Sequence, residues 1–387
     1  PGRRVRGNIA MDFDFTEKEQ AFRAEVKQFI ADNLPPPEQR GEDFEKHWHA
    51  KLIEKKWIGF SWPKEYGGGG GTLIEQFILK EEMSKALAPD LGSDFMGLTW
   101  VGPALIRHGT EEQKKEFLPD LLNCRSSWCT GYSEPDVGSD LGSLKLRAVR
   151  DGDDYVINGS KIWTTRAHVA RYIFLTVRTN PEAQSRYSGI SVLLTPMNTP
   201  GIEVRPIVNI VGQHHFNQVF FTDVRVPVSA RLGAEGEGWK VVMGALANER
   251  SGISESTGME RHLEKLKELA RNSQKGGKPA LQDAEVRRKL ARFETQISAM
   301  RLNGLRNLTK QIKGAQPSSE TSVNKLLRGI LEIPMADLAM SLLGNEASGM
   351  GEWQFDALNF HGTVIGGGSP NIQRNIIAER VLGLPKD

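Results

Sequence analysis

Residues 155–165, YVINGSKIWTT, carry the clearest β signal in the chain. Tyr155-Val156-Ile157 is aromatic and β-branched, and Asn158-Gly159 has the signature of a tight hairpin turn. Outward from there, short runs such as Arg171 to Arg178, Gly189 to Pro196 and Gln218 to Val226 alternate with turn signals, the pattern of antiparallel strands. Pro227 and the glycine-rich stretch 233–238 close this region.

On both sides the period changes. Thr16 and Glu19 form a capping box before Phe22, Val26, Phe29 and Ile30 at helical spacing, and Pro35-Pro36-Pro37 ends that helix. Helical stretches continue to Leu122. The run Gly67 to Gly71 interrupts them as a loop, because it lacks the GK[ST] ending of a phosphate loop. From Trp239 helical periodicity returns, with breaks at Asn272 to Pro279 and Gly314 to Ser319 around long segments such as Ala284 to Lys310 and Thr321 to Leu343. Four helices packed as a bundle are expected there. The predicted class is a multidomain α+β protein: an N-terminal helical domain (11–125), a central antiparallel, barrel-like β domain (126–232) and a C-terminal four-helix bundle (233–387). Residues 1–10, ahead of Met11, read as a leader or cloning remnant.

The 387 residues carry 50 Lys+Arg against 48 Asp+Glu, a net charge of +2, which lacks the electrostatic footprint of a nucleic-acid binder. The longest apolar run, around Tyr172 to Val177, is far short of the about 20 residues that span a bilayer. Cys124 and Cys129 make no disulfide framework or zinc spacing, and a reducing cytoplasm suits them best.

Several segments could carry chemistry. Trp239, Val242, Leu246, Glu249 and Ile253 follow steps of three and four, so Glu249 interrupts an apolar helical stripe. A carboxylate there is either an ion-pair partner, of Arg250 or of a neighbouring helix, or a desolvated general base. Gly366-Gly367-Gly368-Ser369-Pro370 precedes a helix: a plain turn, or a place where backbone N–H groups meet an anion or polarised carbonyl. The segment WCTGYSEPDVGSD (128–140) lies where helices give way to strands, and Thr130, Ser133 and Ser139 serve either turn chemistry or a polar cofactor. Trp163-Thr164-Thr165 either fills the core or lays an indole beside a planar ring. Adjacent His214 and His215 would point to opposite faces of a strand and make no metal pair. No GxSxG, HExxH, Walker or strand-following GxGxxG sequence is present.

WPKEYGG (62–68), YSEPDVGSD (132–140), INGSKIWTT (157–165) and IQRNIIAERVLGLP (372–385) occur in an order that resembles the acyl-CoA dehydrogenase family of flavoproteins, from Met11 to Asp387. The resemblance implies FAD lying between the domains and against a neighbouring subunit. It implies a reaction in which a carboxylate removes the α-proton of an acyl-CoA, the β-hydrogen leaves as hydride to flavin N5, and a trans-2-enoyl-CoA results. Many family members carry YEGTS where this chain has residues 366–370, so their catalytic glutamate becomes Gly367. Its backbone N–H would still serve the thioester oxygen. Other branches, similar to isovaleryl-CoA and long-chain dehydrogenases, place the glutamate before an arginine on the first helix of the C-terminal domain, which Asn248-Glu249-Arg250 matches. The resemblance further assigns Thr130, Ser133, Ser139, Trp163, Thr165, Ser369 and Asn371 to FAD, and Ser139, Arg250 and Gly368 to the substrate.

Two departures stand out: Arg166 after the WTT segment, and the lack of a recognisable RxQFG arginine around Arg271 to Gly277. The LANERSGIS stretch (246–254) resembles a bacterial branch with pimeloyl-CoA-type and steroid-side-chain subunits, some of them heteromeric. Expected partners are an electron-transfer flavoprotein and further subunits, as a homodimer, homotetramer or hetero-oligomer. The alternatives are a base-deficient or half-site subunit, and a flavin oxidase or monooxygenase on the same fold.

Overall fold

The computed structural model describes residues 15–92, 94–249, 253–315 and 319–386, and side chains outside 247–255. Five helices come first: α1 (Glu17–Asn33), α2 (Phe44–Glu54), α3 (Leu73–Lys85), α4 (Gly102–His108) and α5 (Glu111–Leu122). The Thr16 capping box is formed, and Thr72 with Glu75 and Thr110 with Gln113 repeat it. The glycine run 67–71 is a loop packed on aromatic side chains: a Cβ on Gly68 would lie 2.5 Å from that of Trp62, and one on Gly71 2.4 Å from the Phe60 ring.

Seven strands follow: β1 (Trp128–Gly131), β2 (Arg147–Asp151), β3 (Asp154–Lys161), β4 (Tyr172–Arg178), β5 (Ile190–Pro196), β6 (Ile202–Val208) and β7 (His214–Pro227). They make one sheet in the order β1-β4-β2-β3-β7-β6, with β5 also on β4. The expectation of purely antiparallel strands is corrected here. β1 runs parallel to β4 from Trp128↔Tyr172 to Gly131↔Leu175, which the long β2–β3 excursion between them permits. Asn158-Gly159 is also not a turn. It lies inside β3 at a register shift, where the Asn158 amide donates to Asp223 Oδ1 (3.0 Å) and its oxygen accepts the Asp223 N–H (2.9 Å). The pair therefore forms a bulge, and the β2–β3 turn is made at Gly152 and Asp153, with Gly152 at φ +61°.

The chain then returns to helix: α6 (Gly238–Glu249), α7 (Ile253–Asn272), a small hairpin of β8 (Gln274–Lys275) and β9 (Lys278–Pro279), α8 (Ala284–Ile312), α9 (Thr321–Leu343), α10 (Glu352–Thr363) and α11 (Pro370–Ile376). The expected count of four is exceeded, with six helices among the described residues. Leu263, Leu266, Phe293, Ile297, Met335, Leu338 and Trp353 join α7, α8, α9 and α10 in one core. A second core joins the first two regions to α6, through Leu105, Leu118, Trp128, Phe174, Val242 and Ala245. Among the described residues no helix is long and apolar enough to cross a membrane.

Candidate active site

The strongest anchor is a buried ion pair that sequence reading missed. Lys161, fully buried at the end of β3, donates to Glu134 Oε1 (2.9 Å), to the Tyr132 carbonyl (3.0 Å) and to Thr176 Oγ1 (3.2 Å). Glu134 also accepts the N–H groups of Lys145 (2.7 Å) and Leu146 (2.8 Å). Burial pushes the Lys161 ammonium down to about 8, against the pull of Glu134. The pair locks residues 131–134 to β3 and β4. Only the Glu134 of YSEPDVGSD and the Lys161 of INGSKIWTT hinted at it.

Above this lock the two motifs run side by side. The Ile162 N–H donates to the Ser133 carbonyl (2.9 Å), while Thr164 and Asn217 exchange backbone bonds of 2.9 and 3.1 Å. Trp163 is thus pinned on a loop beyond β3, not in a strand. Its φ of +57° is left-handed, its side chain is 57% exposed, and Phe216 meets it edge-on at 6.0 Å. The core alternative for this indole is ruled out. Thr130, Ser133 and Thr165 are half-buried around the loop, whereas Ser139 is exposed further along. A strained backbone holding a bare indole among hydroxyls suits a flat, polar-edged ring such as a flavin.

A second group sits on α9. Gly367 and Gly368 have φ of +69° and +98°. The Gln373 amide donates to the carbonyls of both, at 3.3 and 3.2 Å. Ser369 caps α11 by accepting the Ile372 N–H (3.4 Å), and Asn371 is exposed in the first turn. α11 packs on α9, so within one chain this turn and the Trp163 loop form two groups on separate supports.

Glu249 lies on α6 with Trp239, Val242 and Leu246, and Ile253 lies on α7. The Glu249 side chain and all of Arg250 lie outside the described residues. Leu246, one turn earlier, joins a cluster with Trp100 and Tyr132. Trp100 belongs to a π-type turn, Gly97–Val101, which packs on α6, and Phe95 lies against it at 5.7 Å. Nearby, Asp94 Oδ2 accepts the Trp128 N–H (2.7 Å), and burial raises its pKa to about 6 despite this and further backbone bonds.

His168 and His214 stack at 3.9 Å, with Asn217 between them. Among the described residues no His, Cys, Asp and Glu group could hold a metal.

The chain matches the acyl-CoA dehydrogenase N-terminal domain over residues 16–125, the middle domain over 129–224 and the C-terminal domain over 236–382. It belongs to the acyl-CoA dehydrogenase family. Its reaction class is oxidation at a CH–CH bond, and its cofactor is FAD. Acyl-CoA dehydrogenase IpdE1 of Mycobacterium tuberculosis is 38% identical over 387 residues, covering 95% of this chain and 98% of the relative. Among solved structures, the Tcur3481-Tcur3483 steroid ACAD superposes with a TM-score of 0.83 at 32% identity, covering 97% of this chain and 100% of that one. The ChsE4-ChsE5 complex from M. tuberculosis gives 0.82 at 31%, again over 97% and 100%.

Proposed function

We propose that this acyl-CoA dehydrogenase converts a bulky, ring-bearing acyl-CoA to its trans-2-enoyl-CoA, with Glu249 as the base. This reading rests on position: Glu249 lies on α6 one turn beyond Leu246, which joins the apolar cluster that also takes in Trp100 and Tyr132. A flat acyl group would lie along these aromatic residues, within reach of α6.

In this reading Glu249 takes the α-proton, and a base of this kind contributes about 10² to 10⁴ in rate. The Gly367 N–H donates to the thioester oxygen as negative charge develops there. Its left-handed backbone turns the amide in a way that an L-residue adopts reluctantly. Ser139, Arg250 and Gly368 contact the substrate. Thr130, Ser133, Ser139, Trp163 and Thr165 would hold FAD from the sheet side, and Ser369 and Asn371 from the α11 side. Bound FAD supplies the two-electron acceptor for the hydrogen leaving the β-carbon. The indole of Trp163 covers apolar surface and keeps water from the reacting carbons.

The domains are taken as 11–125, 126–232 and 233–387, with α7 to α10 as the four-helix bundle. The assembly is a dimer or tetramer in the cytoplasm, and electrons leave to an electron-transfer flavoprotein. One observation favours a second reading, a hetero-oligomer with a dehydrogenase-like partner. The hairpin 274–279 turns at Gly276 and Gly277, both at left-handed φ, where relatives resembling this chain carry an RxQFG arginine. Two close structural neighbours are also named as pairs of chains.

Anaerobic titration with straight-chain, branched, dicarboxylic, aromatic and polycyclic acyl-CoAs tests the proposal. Ring-bearing substrates should bleach the flavin most completely. Bleaching by none of them would refute it, and oxygen consumption with substrate would reveal an oxidase or monooxygenase instead. Solution mass and FAD content of the chain expressed alone separate homomer from heteromer.

A further inference from the structure

One of the three bonds of the buried Lys161 ammonium goes to backbone, to the Tyr132 carbonyl at 3.0 Å. That carbonyl and the Ser133 N–H are the two ends of one planar trans peptide, so they point in opposite directions. With the carbonyl turned onto Lys161, the N–H points away from the buried floor. Among the described residues no group accepts it. Ser133 is half-buried, and backbone donors withdrawn from water are nearly always paired. The residue is also fixed from its other side, because the Ile162 N–H donates to the Ser133 carbonyl (2.9 Å). A donor held rigidly and left open beside the Trp163 loop is shaped for an acceptor that the protein does not itself supply.

The charge behind this donor is positive. Lys161 is wholly buried and Glu134 nearly so. Arg178 donates to the Gly142 carbonyl (2.8 Å) and the Leu144 carbonyl (3.2 Å), close enough to oppose the lysine's charge and to feel that of Glu134. Two cations thus stand against one carboxylate. A charge at one end of a hydrogen-bonded chain strengthens the bond at the other, most of all where water is excluded. A hydride arriving from the substrate adds one negative charge to the flavin. We infer that Lys161 is a positioning residue that raises the flavin's reduction potential: it polarises the Tyr132–Ser133 peptide, and the Ser133 N–H binds the ring more strongly once the ring carries that charge. This rests on the reading that places Ser133 on FAD.

The test measures the flavin midpoint potential of the FAD-loaded full chain by anaerobic dye equilibration without any acyl-CoA. It is run at pH 7, below the value of about 8 for the Lys161 ammonium. Lys161→Met should make reduction about tenfold less favourable, a fall of about 30 mV for two electrons. Lys161→Arg, which keeps the cation, should stay within about twofold of wild type. Should the single change to Met retain no FAD, Lys161→Met/Glu134→Leu leaves no stranded charge and should lower the potential in the same direction. An unchanged potential without the lysine, or a fall as large in Lys161→Arg as in Lys161→Met, would overturn the inference and leave Lys161 a purely structural lock. Ser133→Ala removes the hydroxyl and keeps the backbone donor, and should loosen FAD about fivefold. Unchanged FAD retention there would overturn the placement of Ser133, and the inference with it. No substrate is present, so failure of the proposed acyl-CoA reaction would leave these readings standing.

Discussion

The floor beneath Ser133 and the turn at Gly367, the two parts of the proposed site, are built by opposite means. Beneath Ser133, a buried lysine and glutamate tie residues 132–134 to β3, to β4 and to the residues just before β2, and backbone bonds clamp the Trp163 loop from both sides. At Gly367, two left-handed glycines follow α10, and one glutamine amide and one serine cap tie them to α11. A planar ring needs a fixed platform, because small displacements spoil its contacts. A thioester oxygen needs a backbone donor brought close, which glycine permits.

The contrast is broken most severely at the floor. Lys161→Met should destabilise the chain by about 3–5 kcal/mol, because it strands Glu134 in the interior. Denaturant unfolding measures it, and pairing the change with Glu134→Leu should return part of the loss. Asp94 sharpens the same side through pH. Its carboxyl is raised from 3.8 to about 6 in the folded chain, so the folded state holds the proton more tightly than the unfolded one. Its contribution to stability is therefore present below pH 3.8 and lost as pH rises to 6. Asp94→Asn should remove that pH-dependent part, of up to about 3 kcal/mol, from the difference between wild-type and variant stability curves over this range. His262, pushed down to about 4, acts in the reverse sense, and Asp356, raised to about 6, in the same sense. Comparison with the variant isolates Asp94 from both.

At the turn the effects are smaller. Among the described residues a Cβ on Gly367 has only Lys325 Cε within 4 Å, at 3.6 Å, so Gly367→Ala costs the left-handed strain alone, about 1 kcal/mol. The same variant should slow flavin reduction more than it lowers the melting temperature. Trp163→Phe should be smallest of all in stability, within about 0.5 kcal/mol, because the indole is exposed; its effect should fall on FAD retention, read by the flavin released on gel filtration.

Much of the fold was legible in local patterns. Thr16 with Glu19, the full extent of α9 and the strands at 172–178 and 190–196 follow from capping, period and β-branched composition, all local. Three features were not legible, each for a non-local reason. Asn158-Gly159 becomes a bulge because Asp223, 65 residues away, takes the asparagine's bonds. Lys161 and Glu134 look like ordinary surface charges until β3 and β4 bring them together in the interior. From the residues alone Trp163 stays open between the core and a planar ring, because its left-handed φ and the clamp between Thr164 and Asn217 leave no trace in composition. For the site, the motif order indicated which segments meet at the sheet, and the Trp163 loop lies where Ser133 predicted company.

In the proposed reaction Glu249 takes the substrate's α-proton. Exchange of that hydrogen with D₂O, followed by mass spectrometry of an acyl-CoA on the FAD-loaded chain under anaerobic conditions, tests it most directly. Rapid exchange is expected in wild type, with a fall of about 10² to 10⁴ in Glu249→Gln and FAD content unchanged. Exchange at the wild-type rate in that variant would contradict it.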